Sequence, residues 1–177
     1  TAMTLPTADG TANYVLKTDG NGTLSWTANS GSGASAVNDL SDALIEDNSL
    51  YLGNDPSGTT STAEYNVAVG ATALNAITTG DGNAAFGHNS LTANTSGAYN
   101  VGIGNSTLAA NTTGVSNLAI GHVALGSNTT GNYNVGVGHS ALNGTTTGTR
   151  NTALGYGALD YPDTENDNLA IGYDALG

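Results

Sequence analysis

Apolar and small residues recur with a period of 17 over most of the chain. Each repeat opens with an asparagine, which is numbered here as position 1. Position 3 is always Ala or Gly, and position 4 is always a larger apolar residue. Seven asparagines keep this step: Asn66, Asn83, Asn100, Asn117, Asn134, Asn151 and Asn168. A fixed period of this length indicates an array of stacked structural units.

Two further positions are the same in every repeat. Position 5 is glycine in all seven: Gly70, Gly87, Gly104, Gly121, Gly138, Gly155 and Gly172. Position 9 is leucine in all seven: Leu74, Leu91, Leu108, Leu125, Leu142, Leu159 and Leu176. Glycine permits a sharp backbone bend, so we expect a bend at position 5 and a buried leucine four residues later.

The alternation of positions 2 to 4 predicts a short strand with one buried face, on which the apolar residues of positions 2 and 4 lie. A Thr-Thr-Gly segment near positions 13 to 15 predicts a second turn. The sequence therefore predicts an all-β fold, a parallel β-solenoid of about eight 17-residue coils with two short strands per coil, over residues 49–177. Like residues would stack on like residues, and the asparagines would form a side-chain ladder.

A degenerate first coil is predicted to begin near Ser49, with Leu50 and Leu52 at positions 2 and 4. An atypical terminal coil is what a repeat array needs as a cap. The last repeat stops in mid-coil at Gly177, from which we expect a piece of a longer or processed protein.

The sequence before the repeats indicates a small β-hairpin unit over residues 1–28. Alternating runs at residues 14–18 and 23–27 flank the turn sequence Asp-Gly-Asn-Gly. Residues 29–48 are predicted to be a linker and entry segment, Gly/Ser-rich from residue 29 to 35. Within it, residues 37–46 fit either a helical turn or an extended passage.

Composition limits the size of the core. Leu, Ile, Val and Phe make up only 32 of 177 residues, so one thin solenoid offers few large side chains against the entropy of ordering each coil. We therefore expect several copies to pack side by side in a symmetric homo-oligomer.

Charge and apolar content exclude several partners. Fourteen acidic residues against Lys17 and Arg150 give a net charge of −12, which would repel nucleic-acid phosphates. No apolar run approaches the roughly 18 residues of a membrane span, and no export signal is visible. We expect no nucleic-acid partner and no membrane insertion. Cysteine is absent, so no disulfide or thiolate metal site is expected.

One column of residues is a candidate contact surface. Position 6 holds His88, His122, His139, Tyr156 and Tyr173. Three interpretations stay open: an ordinary polar surface, a column that contacts a receptor through its rings, or imidazoles around a threefold axis that hold a metal.

Two other groups allow alternative interpretations. Tyr65, Tyr99 and Tyr133 recur at position 17 of alternate coils and are either packing residues or receptor contacts. Acidic residues near the end of the chain form either a solvated loop or a calcium site: Asp160, Asp163, Glu165 and Asp167.

Catalysis finds no support in the sequence. No pair of carboxylates recurs as glycoside hydrolysis would require, and no nucleophile elbow or phosphate-binding loop appears. We predict a protein that is not an enzyme and that carries no cofactor or dedicated metal.

The repeat resembles known surface fibres. Asn-Ser-Leu-Tyr-Leu-Gly at 48–53 and Tyr-Asn-Val-Ala-Val-Gly at 65–70 resemble the head repeat of YadA-type trimeric autotransporter adhesins. Asn-Tyr-Asn-Val-Gly-Val-Gly-His-Ser-Ala-Leu at 132–142, and residues 4–27, resemble bacteriophage tail-fibre proteins, particularly those of marine phages. The 17-residue unit is longer than the common adhesin repeat, and neither a coiled-coil stalk nor a membrane anchor is visible.

The resemblance implies a trimer of left-handed β-rolls on a virion, where it attaches to a receptor on the host cell surface, for which a glycan is one candidate. An alternative is the head of a bacterial surface adhesin. A third class, an ice-binding solenoid, is less favoured because the paired threonines are adjacent and so point to opposite sides.

Overall fold

The fold is taken from a computed structural model, which describes residues 14–18, 21, 23–28, 43–46, 48–53, 56, 62–161 and 164–177. The chain divides into two compact units, residues 1–39 and 40–177.

The first unit contains an antiparallel pair of strands. Strand β1 (Tyr14–Thr18) pairs with β2 (Leu24–Ala28), and Leu16 lies opposite Trp26. This confirms the hairpin predicted from the alternating runs. The Gly/Ser-rich segment 29–35 lies outside the described residues.

The second unit is a parallel β-solenoid of about seven turns. Eight parallel strands follow one another in chain order, each hydrogen-bonded to the next: β4 (Ser49–Leu52), β5 (Val67–Val69), β6 (Ala84–Phe86), β7 (Val101–Ile103), β8 (Leu118–Ile120), β9 (Val135–Val137), β10 (Thr152–Leu154) and β11 (Leu169–Ile171). Every pairing is offset by 17 residues, as in Ala85 opposite Gly102. The predicted stacking of like residues is therefore confirmed.

The start of the solenoid is closed by a reversed strand. Strand β3 (Ala43–Glu46) runs antiparallel to β4, with Leu44 opposite Tyr51. The described part of the entry segment is thus extended and not helical. Ser49 occupies position 1 of the first coil, as predicted, and β3 covers the edge of that coil, which protects its backbone from unwanted pairing.

The strands bury the opposite face from the one predicted. Position 3 is fully buried, as at Ala85 and Ala119, whereas the larger residues of position 4 point outward, with Phe86 41% and Ile103 42% exposed. Of the apolar positions 2, 4 and 9, only position 9 is buried as expected: Leu91 and Leu108 are fully buried, although Leu176 in the last coil is 63% exposed. The apolar part of the interior is therefore built mainly from small residues and one leucine per coil.

Each coil of the repeat array also has one described strand of three residues, not the two predicted. The remainder of the coil is made of turns. Their backbone groups still bond to the next coil: the Leu91 N–H donates to the Thr107 carbonyl (2.9 Å), and the Thr95 N–H to the Thr112 carbonyl (3.0 Å). Inter-coil hydrogen bonding thus continues around the turn segments without a second strand.

The glycine of position 5 is required by backbone conformation and by space. At Gly87, φ is +132°, a region that side chains rarely adopt. A Cβ at this position would lie 2.5 Å from the carbonyl oxygen of Gly104 in the next coil. The invariant glycine therefore lets successive coils approach closely at the bend.

The asparagines of position 1 form a buried ladder through the coils, called here the asparagine ladder. At Asn117, the side-chain oxygen accepts the backbone N–H of Asn134 (2.9 Å). Its side-chain nitrogen donates to the Gly131 carbonyl (2.8 Å) and to the side-chain oxygen of Asn100 (3.1 Å). The ladder begins at Ser49, whose hydroxyl accepts the N–H of Asn66. Each buried amide thus satisfies backbone groups that would otherwise lack a partner.

A second, shorter ladder occupies position 12. The side-chain nitrogen of Asn111 donates to the oxygen of Asn94 (2.7 Å), and that of Asn128 donates to the oxygen of Asn111 (2.8 Å). The series stops at Thr145. Both the Oδ1 of Asn128 and the hydroxyl of Thr145 are buried and have no hydrogen-bond partner among the described residues.

Replacing a central asparagine is predicted to be costly. Asn117→Ala would leave the N–H of Asn134 buried without a partner and the carbonyl of Gly131 with only the 3.2 Å bond from Asn128, and an unsatisfied buried group costs about 1–3 kcal/mol. Chemical denaturation measures the change. The exposed Thr113→Ala serves as control, with an expected change within about 0.5 kcal/mol; equal effects of the two variants would contradict the role of the ladder.

Extending the second ladder is predicted to stabilise the protein. In Thr145→Asn, the new side-chain nitrogen would donate to the unpartnered oxygen of Asn128, and the new side-chain oxygen would take the place of the unpartnered hydroxyl, because residue 162 is a proline and supplies no side-chain donor. We expect a gain of about 1 kcal/mol, measured by the same denaturation experiment. Thr145→Val, which supplies no donor to Asn128, is the matched control, and a Thr145→Asn variant no more stable than Thr145→Val would refute this explanation.

Candidate functional site

The outward side of the strands forms a continuous apolar surface, called here the outer face. It consists of positions 2 and 4 of successive coils. Beyond Phe86 and Ile103, the side chains of Val69, Leu154 and Ile171 are more than one-third exposed. Scattered apolar residues on a surface are ordinary, but a contiguous apolar strip marks a contact surface.

A column of aromatic rings lies just beyond one end of the strands, at the predicted position 6. The ring centroids of His122 and His139 are 5.0 Å apart, those of His139 and Tyr156 are 4.9 Å apart, and those of Tyr156 and Tyr173 are 5.2 Å apart. The last two pairs are nearly parallel, with interplanar angles of 11° and 9°. The rings thus stack at the spacing of the coils and form what is called here the ring ladder.

The stacking determines what the ring ladder offers to a ligand. Neighbouring rings cover one another's faces, so mainly ring edges, with the imidazole nitrogens and phenol oxygens, remain for contact. His88 lies outside this stack, since Asn105 occupies the intervening coil and its side-chain nitrogen is 3.3 Å from the Nδ1 of His88. Of the five predicted residues, four therefore form one continuous surface that favours hydrogen bonding over the stacking of sugar rings.

Charge at the end of the ring ladder affects its last member. The carboxylate of Asp174 raises the pKa of the Tyr173 phenol, with smaller contributions from burial and from Tyr156. Negative charge nearby disfavours the phenolate. The terminal ring therefore stays a neutral hydrogen-bond donor to a higher pH than a free tyrosine.

The tyrosines of position 17 are strongly exposed at the opposite end of the strands. Tyr65, Tyr99 and Tyr133 are 63%, 67% and 59% exposed. Their backbones share a left-handed conformation, with φ between 58° and 61°. Burial at a corner, one of the two interpretations of these residues, does not describe side chains with this exposure.

The acidic residues near the end of the chain include one ion pair. Asp167 binds Arg150 of the preceding coil through two hydrogen bonds of 2.5 and 2.8 Å. The guanidinium group lowers the pKa of Asp167. Asp163 lies outside the described residues, and the described residues bring together no group of three or more histidine or acidic side chains that could hold a metal.

The described surface consists of ridges and columns of side chains. No cavity is found among the described residues, and within them no helix has the length and apolar character to cross a membrane. Comparisons with protein-family models, curated proteins and solved structures yield no match to this chain. Function is therefore inferred from the outer face and the two aromatic columns.

Proposed function

We propose that this chain is a structural and receptor-binding segment of a viral tail fibre, a homotrimer that attaches the virion to a host cell surface. The apolar outer face supports this proposal most directly, because it runs along the coils in line with the repeat. A surface that repeats at every coil fits a partner whose surface repeats at the same spacing, and a second copy of the same chain has such a surface.

The energetics of a single roll support association. The interior contains alanine, glycine and one leucine per coil, while larger apolar residues such as Ile103 and Ile120 lie outside. Full burial of each such side chain contributes roughly 1.5–3 kcal/mol. Packing outer faces together would therefore complete a hydrophobic core that one chain leaves open. Three copies, each a left-handed roll, are what the resemblance to trimeric fibres implies.

A bacterial surface adhesin head remains the second candidate, because the same outer face and trimeric packing would serve it. Ice binding is less favoured. The threonine hydroxyls of position 13 bond to the backbone of the next coil, as where Thr95 donates to the Thr112 carbonyl (3.1 Å). Threonines of position 14, such as Thr113 and Thr130, are exposed, which leaves one outward hydroxyl column where a flat ice-binding array needs several.

The oligomer is predicted to depend on the outer face. We expect light scattering to give three times the chain mass of 17.4 kDa. Ile103→Asp would place a charge in the proposed interface and reduce the mass to that of one chain, because an unpaired buried charge is strongly unfavourable. The control Thr113→Asp adds the same charge at an exposed position of the same coil and should leave the trimer intact. A monomeric wild-type protein would contradict the trimer.

The attachment function predicts binding to bacterial cells. Fluorescently labelled protein should bind some strains of a panel of marine bacteria saturably, and polysaccharide extracted from a bound strain should compete. Binding to animal extracellular-matrix proteins and to no bacterial strain would favour the adhesin head instead. Binding to neither would reject attachment.

A further inference from the structure

The three tyrosines of position 17, called here the tyrosine column, are 59–67% exposed, so packing within the roll uses only part of their surface. They occur in alternate coils and are separated by the small residues Gly82 and Ser116. The ring ladder places a side chain in every coil, whereas the tyrosine column leaves one coil free between rings.

One ring of the tyrosine column lies against the coil that precedes it. A Cβ on Gly82 would lie 2.8 and 3.1 Å from the Cδ1 and Cε1 of Tyr99, and 3.9 Å from its Cγ. The Cδ1–Cε1 edge of the ring is therefore the part nearest to this glycine, and the ring occupies the space that a side chain at position 82 would take. Because Gly82 and Ser116 separate the tyrosines, the three rings lie two coils apart and do not stack directly on one another as the rings of the ring ladder do.

The spacing of the tyrosine column suits a particular polymer. Two coils span roughly 9.5 Å, which is close to the length of two sugars in an extended β-1,4-linked polysaccharide. In such a chain every second sugar presents the same face, and the C–H groups of a sugar ring stack on aromatic faces. One tyrosine per two coils therefore matches one stacked sugar in every two.

Polar groups beside the column suit sugar hydroxyls. One side-chain oxygen of Asp81 accepts the N–H of Glu64 (2.8 Å), and that of Asn132 accepts the N–H of Val115 (2.7 Å). These bonds fix the two side chains immediately before Gly82 and Tyr133. The net charge of −12 would repel an anionic polysaccharide, so the matching ligand carries no negative charge.

We propose that Tyr65, Tyr99 and Tyr133 form a stacking platform for an extended, uncharged β-1,4-linked polysaccharide that lies along the coils. The platform rests on the attachment function proposed above and names its ligand class. It assigns the stacking contacts to the tyrosine column and not to the ring ladder.

Affinity electrophoresis in native gels tests the platform. Soluble glucomannan and hydroxyethyl cellulose are the β-1,4-linked probes, and α-linked pullulan is the control polymer. Wild-type protein should be retarded by the first two only. Tyr99→Ala should weaken binding about tenfold, the loss of roughly 1.4 kcal/mol of stacking. Tyr99→Phe, which keeps the ring, and Tyr161→Ala, which removes a 70% exposed ring outside both aromatic columns, should bind as wild type.

Several results would overturn the platform. These are no retardation of the wild type, equal retardation of Tyr99→Ala and wild type, or a changed oligomeric mass in Tyr99→Ala, which would place the ring in the contact between chains. Protein that binds bacterial cells but no β-1,4-linked probe would reject the platform and leave attachment standing. If the protein binds no cells, the attachment function itself is rejected.

Discussion

The asparagine ladder is the interaction on which the rest of the fold depends. Each side-chain oxygen must meet the backbone N–H of the next coil, and each side-chain nitrogen must reach a carbonyl near the end of its own coil, as Asn117 does with Asn134 and Gly131. These bonds are satisfied only if the chain returns to the same point every 17 residues. A coil of another length would leave buried polar groups without partners, which costs more than most side-chain substitutions.

A narrow coil leaves little room inside. Beside each asparagine lie an alanine or glycine at position 3 and a leucine at position 9, so larger strand residues such as Phe86 and Ile103 must face outward. The same constraint therefore accounts for the small apolar content and for the exposed outer face. If copies pack through that face, as we propose, folding and assembly draw on the same apolar side chains, and the flanking aromatic columns lie at the margins of the contact.

Much of the solenoid fold could be predicted from periodicity, because residues 17 apart in the sequence become neighbours in stacked coils. The bend at Gly87, the burial of Leu91 and the alignment of His122 with His139 all follow from the 17-residue step. The inner side of the strand could not be predicted in this way. Alternation allows either position 3 or positions 2 and 4 to face the interior. The larger apolar side chains of positions 2 and 4 led to the wrong choice, because the space inside a coil depends on how tightly the coil closes.

Ring orientation and backbone conformation also lay beyond the sequence pattern. The leucines of position 9 adopt left-handed backbone angles, with φ of 53° at Leu91, although bulky residues rarely do.

The most direct measurement is hydrogen exchange of the asparagine side-chain amides by NMR. The ladder predicts that the Nδ2 protons of Asn83, Asn100, Asn117 and Asn134 exchange far more slowly than those of the exposed Asn105, because the four ladder amides are buried and hydrogen-bonded. Exchange at the rate of exposed asparagine would contradict the buried ladder and the 17-residue coil built on it.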